Sequence, residues 1–320
     1  MRQILAVFPL ILALGAAAEE SHPGAEAFIE RVVAEHDLDA DEVRALLEQA
    51  EYQQSIIDAI TRPAESRPWH EYRQIFMTDT RIDGGVEFWR ANEPLLAGIA
   101  ETKGVPEHMV VAIVGVETNY GMNTGSFRVL DALATLGFYY PRRAEFFASE
   151  LAHFMALARE EDLPLTEVRG SYAGAMGIGQ FIPSSYRAYA VDFDDSGRRD
   201  LWRSLPDALG SVANYFAEHG WATGEPVVLE ARPGDEAELP EDYPMSLDYT
   251  LDELAEMGME FEANGLDGDT PATLVRLELE DGYEYWIGLN NFYVITRYNR
   301  SPLYAMAVHQ LSQAILEGRE

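Results

Sequence analysis

The sequence predicts a mainly α-helical protein with a small β portion, an α+β chain. Three observations carry this. Apolar residues recur at helical spacing through most of the length, and strand signals are confined to two places. A length of 320 residues at 47% apolar is enough to bury a sizeable core in roughly two domains.

The elements follow in chain order. Arg2, the apolar run Ile4 to Leu14 and Ala16-Ala17-Ala18 read as a signal peptide cleaved before Glu19. The run is too short, and too soon followed by acids, for a comfortable transmembrane helix. Asp39-Ala40-Asp41-Glu42 resembles a capping box, with Val43, Leu46 and Leu47 behind it at helical spacing. A helix is expected from about Gly85 to Lys103. Pro106 then opens another, carrying Met109 to Val116 and stopping at Gly121. That stretch is apolar all round, which predicts a central buried helix. Further helices are expected over 142–160, 206–219 and 304–316. Strands are expected at Val227-Val228-Leu229 and in a hairpin, 273–280 with 283–289, around Asp281-Gly282.

Composition excludes several classes. The absence of cysteine removes disulfide scaffolds, thiol nucleophiles, cysteine-ligated zinc and a cysteine-linked lipid anchor. A net charge of −32 predicts a surface that repels nucleic acid and anionic membranes. Lys103 is the only lysine. From Glu225 to Glu284 there are 19 acids against two arginines, so over half of the net charge falls in one segment, read as a solvated acidic subdomain. The seven histidines show no H-E-x-x-H pattern for zinc hydrolysis.

Four clusters carry chemistry. Glu117 ends the apolar stretch Val110 to Val116. A carboxyl desolvated there would have a raised pKa and could act as a general acid near neutral pH. The competing reading is a buried glutamate neutralised by an arginine. The second cluster runs from Gly170 to Phe181, with four glycines in Gly170 to Gly179. Ser171 and Gln180 offer hydrogen bonds, and the glycines suit either ligand approach or close packing. Arg142 and Arg143 are adjacent cations suited to carboxylates or to surface ion pairs. Asn290 to Tyr304 mixes aromatics with amides. That combination suits sugar rings, or a core of half-buried tyrosines.

Six ordered blocks then become specific. Gly115-Val116-Glu117-Thr118, Leu130-Asp131-Ala132-Leu133-Ala134-Thr135-Leu136, Tyr140-Pro141-Arg142-Arg143-Ala144-Glu145, the glycine-rich segment through Tyr186, Ser211 to Phe216 and Asn291 to Asn299 resemble the lytic murein transglycosylase B family, over about Trp69 to Leu316. The resemblance implies a lysozyme-like helical catalytic domain with flanking helical and small mixed subdomains. Expected boundaries are a signal peptide over 1–18, a helical region over 19–104 and the catalytic core over 105–223. An acidic subdomain with the hairpin over 224–289 and C-terminal helices completing the glycan cleft over 290–320 follow. Glu117 falls on the family's single catalytic acid/base. Ser171, Gln180, Tyr215, Tyr298, Asn299, Tyr304 and Tyr72 fall on glycan-cleft positions, and Arg142 and Arg143 near peptide or lactyl carboxylates.

The family cleaves the β-1,4 bond between N-acetylmuramic acid and N-acetylglucosamine without water, leaving a 1,6-anhydro sugar. No cofactor is expected for the chemistry. The expected partners are peptidoglycan glycan strands, with cell-wall synthesis or remodelling proteins as further candidates and no nucleic acid. A monomer, exported to the periplasm and soluble without a lipid anchor, is expected. A hydrolytic muramidase and a catalytically silent glycan binder are the alternatives.

Asp192, Asp194, Ser196 and Gly197 match the first half of an EF-hand loop, but Arg203 stands where the closing glutamate belongs. The resemblance implies a lengthened loop over 192–207. In it the Arg198 carbonyl and Asp207 join Asp192, Asp194 and Ser196 around a structural calcium or sodium ion. An ordinary Asp-Gly turn is the other reading.

Overall fold

The computed structural model describes residues 21–62 and 64–319, so the expected signal peptide lies outside the described residues. Among the described residues no helix is long and apolar enough to cross a membrane. The chain divides into two units at Gln49 and Ala50.

The first unit is a helix pair, α1 (Ala25–His36) and α2 (Ala40–Leu47), joined through buried Phe28, Ile29, Val32, Val43 and Leu47. Asp39 caps α2 by accepting from the backbone N–H groups of Asp41 and Glu42.

The second unit begins with α3 (Gln54–Ile60), a 3-10 turn (Ala64–Ser66), α4 (Trp69–Phe76), α5 (Asp79–Ala91), α6 (Glu93–Lys103) and α7 (Glu107–Thr118). The helix expected over 85–103 is therefore two helices. Asn92 leaves the helical region and turns its amide back to the Phe88 carbonyl at 2.8 Å, and Pro94 in the first turn of α6 has no N–H to continue the ladder. As predicted, α7 is central: Met109 through Gly115 are all buried. It packs against α5, α6 and α14 (Pro302–Arg319).

Next come β1 (Phe127–Arg128), α8 (Val129–Tyr139), a 3-10 turn (Pro141–Arg143) and α9 (Ala144–Glu161), followed by β2 (Arg169–Gly170), α10 (Pro183–Tyr189) and α11 (Leu205–Glu218). Strands β1 and β2 pair antiparallel. Buried Asp131 on α8 binds Arg128 at 2.6 Å and accepts from the Glu51 N–H and the Gln53 amide, which makes it a structural tie. The lone lysine, Lys103, donates to Asn214 at 2.9 Å and links α6 to α11.

The acidic segment folds as β3 (Val228–Pro233), β4 (Tyr249–Thr250), α12 (Leu251–Glu256), β5 (Met259–Phe261), β6 (Pro271–Glu278) and β7 (Tyr283–Gly288). These make an antiparallel sheet of order β4-β6-β7-β3-β5 over a core of Leu229, Leu254, Leu274 and Ile287. Strands thus occur at more places than the two expected, because β4 and β5 are too short to show periodicity. The hairpin forms where expected, but its loop has four residues, closed by the Leu279 N–H on the Gly282 carbonyl at 3.0 Å, so Glu278 rather than Glu280 pairs with Tyr283. Helix α13 (Asn290–Tyr298) returns the chain to the helical core before α14.

Candidate active site

Glu117 lies in the last turn of α7, and the chain turns sharply just behind it. The helix ends at Thr118, ahead of the expected stop at Gly121, because Asn119 (φ 50°), Tyr120 (φ 62°) and Gly121 (φ 85°) are all left-handed. A tyrosine in that region is costly and persists only where its surroundings hold it. Here the Tyr120 hydroxyl donates to the Arg81 carbonyl at 2.6 Å, and its ring lies against Phe88 and over Gly115. A Cβ on Gly115 would come within 2.8 Å of that ring, which is why glycine precedes Val116-Glu117. The Thr118 hydroxyl binds the Ile178 carbonyl at 2.9 Å, tying the end of α7 to the glycine-rich segment.

The Glu117 side chain is half-buried, and the groups crowded around it strip water from the carboxyl. Burial pushes its pKa up to about 7. A hydrogen bond from the Tyr304 hydroxyl to Glu117 Oε1, at 2.5 Å, opposes that shift, while the negative charge of Glu65 adds to it. The neutralising arginine of the competing reading is replaced by Tyr304. Burial and the nearby Glu117 hold Tyr298 and Tyr304 far above the usual phenol range, and Tyr72 is raised by burial and then by Glu65 and Glu117. All three therefore stay protonated as donors.

Four elements bring these groups together: α4 carries Tyr72, α7 Glu117, α13 Tyr298 and α14 Tyr304. Tyr298 donates to the Gly179 carbonyl at 2.5 Å, which pins the glycine-rich segment beside α13. Its ring meets Phe181 and Tyr215 edge-on. Tyr215 is buried, and its hydroxyl donates to the Arg297 carbonyl at 2.6 Å, so it supports the aromatic wall.

The glycine-rich segment is a tight backbone turn. A Cβ on Gly170 would meet the Ala175 carbonyl oxygen at 2.2 Å, and one on Gly177, where φ is +72°, would meet the Leu201 carbonyl oxygen at 2.6 Å. Close packing thus accounts for these two glycines. The turn also orients two side chains. Ser171 Oγ accepts from the N–H groups of Ala173 and Ala175, which leaves its O–H as a donor. The Gln180 amide nitrogen donates to the Thr124 and Gly177 carbonyls, which leaves its oxygen as an acceptor. Asn299, just past α13, donates to Glu65 Oε1 at 3.2 Å.

Arg142 and Arg143 sit apart from this hydrogen-bonded cluster, exposed on the 3-10 turn before α9, with the Arg143 guanidinium 4.2 Å from the Phe146 ring centre. Sequence reasoning missed Glu65 and Tyr120. Glu65 lies on a three-residue turn with no periodicity, and nothing local marks it.

A second carboxylate group forms where the loop after α10 meets α11. Ligand oxygens of Asp192, Asp194 and Asp207 lie within 4.8 Å of one another. Asp192 accepts from the Ser196 and Gly197 N–H groups, and buried Asp207 from those of Phe193 and Asp200. The hydroxyls of Ser204 and Ser196 hold the Asp194 carboxyl below the usual range. The Ser196 hydroxyl also reaches the Arg198 carbonyl at 3.3 Å, so that carbonyl faces the loop while the guanidinium lies 3.9 Å from Asp162. The donor set, carboxylates with a hydroxyl and a carbonyl, suits a hard cation such as calcium.

The sequence profile of the transglycosylase SLT domain family matches residues 20–313. The membrane-bound lytic murein transglycosylase B of Escherichia coli is 42% identical over 309 residues, spanning 93% of this chain and 84% of that protein. Among solved structures, the soluble lytic transglycosylase SltB1 of Pseudomonas aeruginosa is 47% identical, with a TM-score of 0.82 over 93% of this chain and 99% of that one. An Escherichia coli lytic transglycosylase in complex with calcium is 42% identical, with a TM-score of 0.81 over 93% and 94%.

Proposed function

The chain belongs to the transglycosylase SLT domain family, and we propose that Glu117 serves it as acid and then as base on the glycan strands of murein. Membership makes the protein a lytic murein transglycosylase, an enzyme of the carbohydrate lyase class. The observation that carries the mechanism is the state of Glu117: a half-buried carboxyl raised to about 7 and held by Tyr304. Such a group keeps its proton near neutral pH and can still release it.

In the proposed reaction Glu117 gives its proton to the glycosidic oxygen of the departing N-acetylglucosamine. The 2-acetamido oxygen of N-acetylmuramic acid attacks its own anomeric carbon as that bond breaks, giving a cyclic oxazolinium cation. Glu117, now a carboxylate, takes the proton from the C6 hydroxyl. The C6 oxygen then attacks the anomeric carbon, reopens the acetamido ring and closes a 1,6-anhydro bridge. Glu117 ends protonated, and no water enters. The closing hydroxyl belongs to the same sugar, so its effective concentration far exceeds that of an outside nucleophile. The Ser171 O–H is the donor for orienting the acetamido oxygen, and the Gln180 oxygen is an acceptor for sugar hydroxyls. The exposed Arg142 and Arg143 suit the carboxylates of a lactyl group or stem peptide.

An ordinary glycosidase uses two carboxyl groups. The presence of Glu65 near Glu117 is the observation that favours a hydrolytic reading, and the product separates the two. Mass spectrometry of fragments released from purified murein sacculi should find reducing ends lighter by one water than hydrolysis gives. Hydrated ends would overturn the proposal.

Two further readings complete the proposal. The 192–207 loop holds a structural cation, calcium by its oxygen donors, through Asp192, Asp194, Ser196, the Arg198 carbonyl and Asp207. The ion would brace the entry to α11 and take no part in the chemistry. Export to the periplasm is supported by the apolar segment before Glu19.

A further inference from the structure

We infer that Glu65 is a positioning residue of this cleft: it holds the Asn299 side chain with its amide oxygen turned to the sugar, and it keeps a second negative charge near the reacting carboxyl. The inference rests on the proposed reading of the Glu117 cleft and adds to it a residue outside the motifs.

The argument starts from hydrogen-bond chemistry. An ionised carboxylate only accepts, so the group that Asn299 presents to Glu65 must be its nitrogen, and the observed contact is Nδ2 to Oε1 at 3.2 Å. Nitrogen and oxygen branch from one carbon. Fixing the nitrogen on Glu65 therefore directs the oxygen away from it, as an acceptor. The matching ligand groups are donors, namely sugar hydroxyls or an acetamido N–H. A neutral partner in place of Glu65 would accept or donate, and Asn299 could then present either end.

Placement supports the same role. Glu65 sits on the 3-10 turn that leads into α4, the helix bearing Tyr72, while Asn299 directly follows Tyr298 at the end of α13. The contact thus joins two segments that wall the Glu117 cluster from opposite ends of the chain. Glu65 is half-buried, and its charge acts on Glu117, Tyr72 and Tyr172. The groups facing Glu117 are Glu65 from the turn, Tyr72 from α4, Tyr298 from α13 and Tyr304 from α14. Glu65 is the acid among them and opposes ionisation of Glu117. It also suits a reaction whose intermediate is a cation.

The test uses the full chain with purified sacculi. Glu65→Gln removes the charge and relaxes the amide, so kcat/KM should fall roughly tenfold, the scale of one hydrogen bond to a charged group. The alkaline limb of the rate profile should also move to lower pH, because Glu117 loses a like-charged neighbour. Products should keep 1,6-anhydro ends. Glu65→Asp keeps the charge at shorter reach, so KM should rise while the alkaline limb stays in place. In an Asn299→Ala background, Glu65→Gln should leave KM unchanged and still move the limb. A wild-type KM and pH profile for Glu65→Gln would overturn the inference. Loss of all turnover with glycan binding intact would also overturn it, making Glu65 a second catalytic carboxylate. Neither result depends on whether Glu117→Gln is inactive, which tests the acid/base reading separately.

Discussion

At the end of α7 a carboxyl meets an apolar helix, a tyrosine hydroxyl and another carboxylate, and it holds its proton to about pH 7. At the mouth of α11 three carboxylates meet backbone N–H groups and serine hydroxyls. There Asp194 is held below the ordinary range, and Asp207 stays buried on the N–H groups of Phe193 and Asp200. The difference lies in the ratio of donors to desolvation. Where donors are scarce the proton stays and can be used in catalysis. Where they are plentiful the charge stays and can hold a cation.

The largest test of this contrast is Glu117→Gln. Turnover should fall at least about 10²-fold, the lower end of general acid–base contributions, with glycan binding retained. The same change should alter stability in a pH-dependent way. Glu117 has a folded pKa of about 7, above its unfolded value, so the folded state gives up stability as pH rises from about 4.5 to 7. Glutamine removes that penalty, so the variant should be more stable than the wild type at pH 8 by roughly 2–3 kcal/mol, with little gain at pH 4.5. Calorimetry at the two pH values reads it, and an equal effect at both would break the comparison.

Smaller effects belong to the loop. Asp207→Ala should destabilise by about 1–3 kcal/mol, since it orphans buried N–H groups, and Asp192→Ala by less, because its site is more exposed. Added calcium should raise the wild-type melting temperature, as native-state ligands do, and Asp192→Ala should lose that response. No shift at millimolar calcium would return the loop to an ordinary Asp-Gly turn.

The smallest expected effect is also the sharpest. Tyr304→Phe removes the hydrogen bond that lowers the Glu117 pKa. Its alkaline limb should therefore move to higher pH, opposite to Glu65→Gln. Movement of both in one direction would mean that the limb does not report Glu117.

Much of this architecture was legible in the residues. The all-round apolar run before Glu117 foretold a buried central helix, and a hairpin formed around Asp281-Gly282, with a longer loop than a two-residue turn. Less legible features had local causes. The break at Asn92 was hidden because apolar spacing continues through it. Helix α12 begins with a complete capping box, Thr250 with Glu253, a signal present in the sequence but attached to a helix of six residues, too short to show periodicity. The turn after Glu117 needed Tyr120 in a left-handed conformation, which no propensity favours.

By itself the sequence determined the helical class and the family and singled out Glu117 as the candidate acid, because periodicity, glycine placement and motif order are properties of neighbouring residues. The tertiary structure alone decided how that acid behaves. Tyr304 and Glu65 reach Glu117 from positions far along the chain in both directions, one donating a hydrogen bond and the other opposing charge. A pKa is set by the atoms within a few ångströms of a group, and only folding decides which residues supply them.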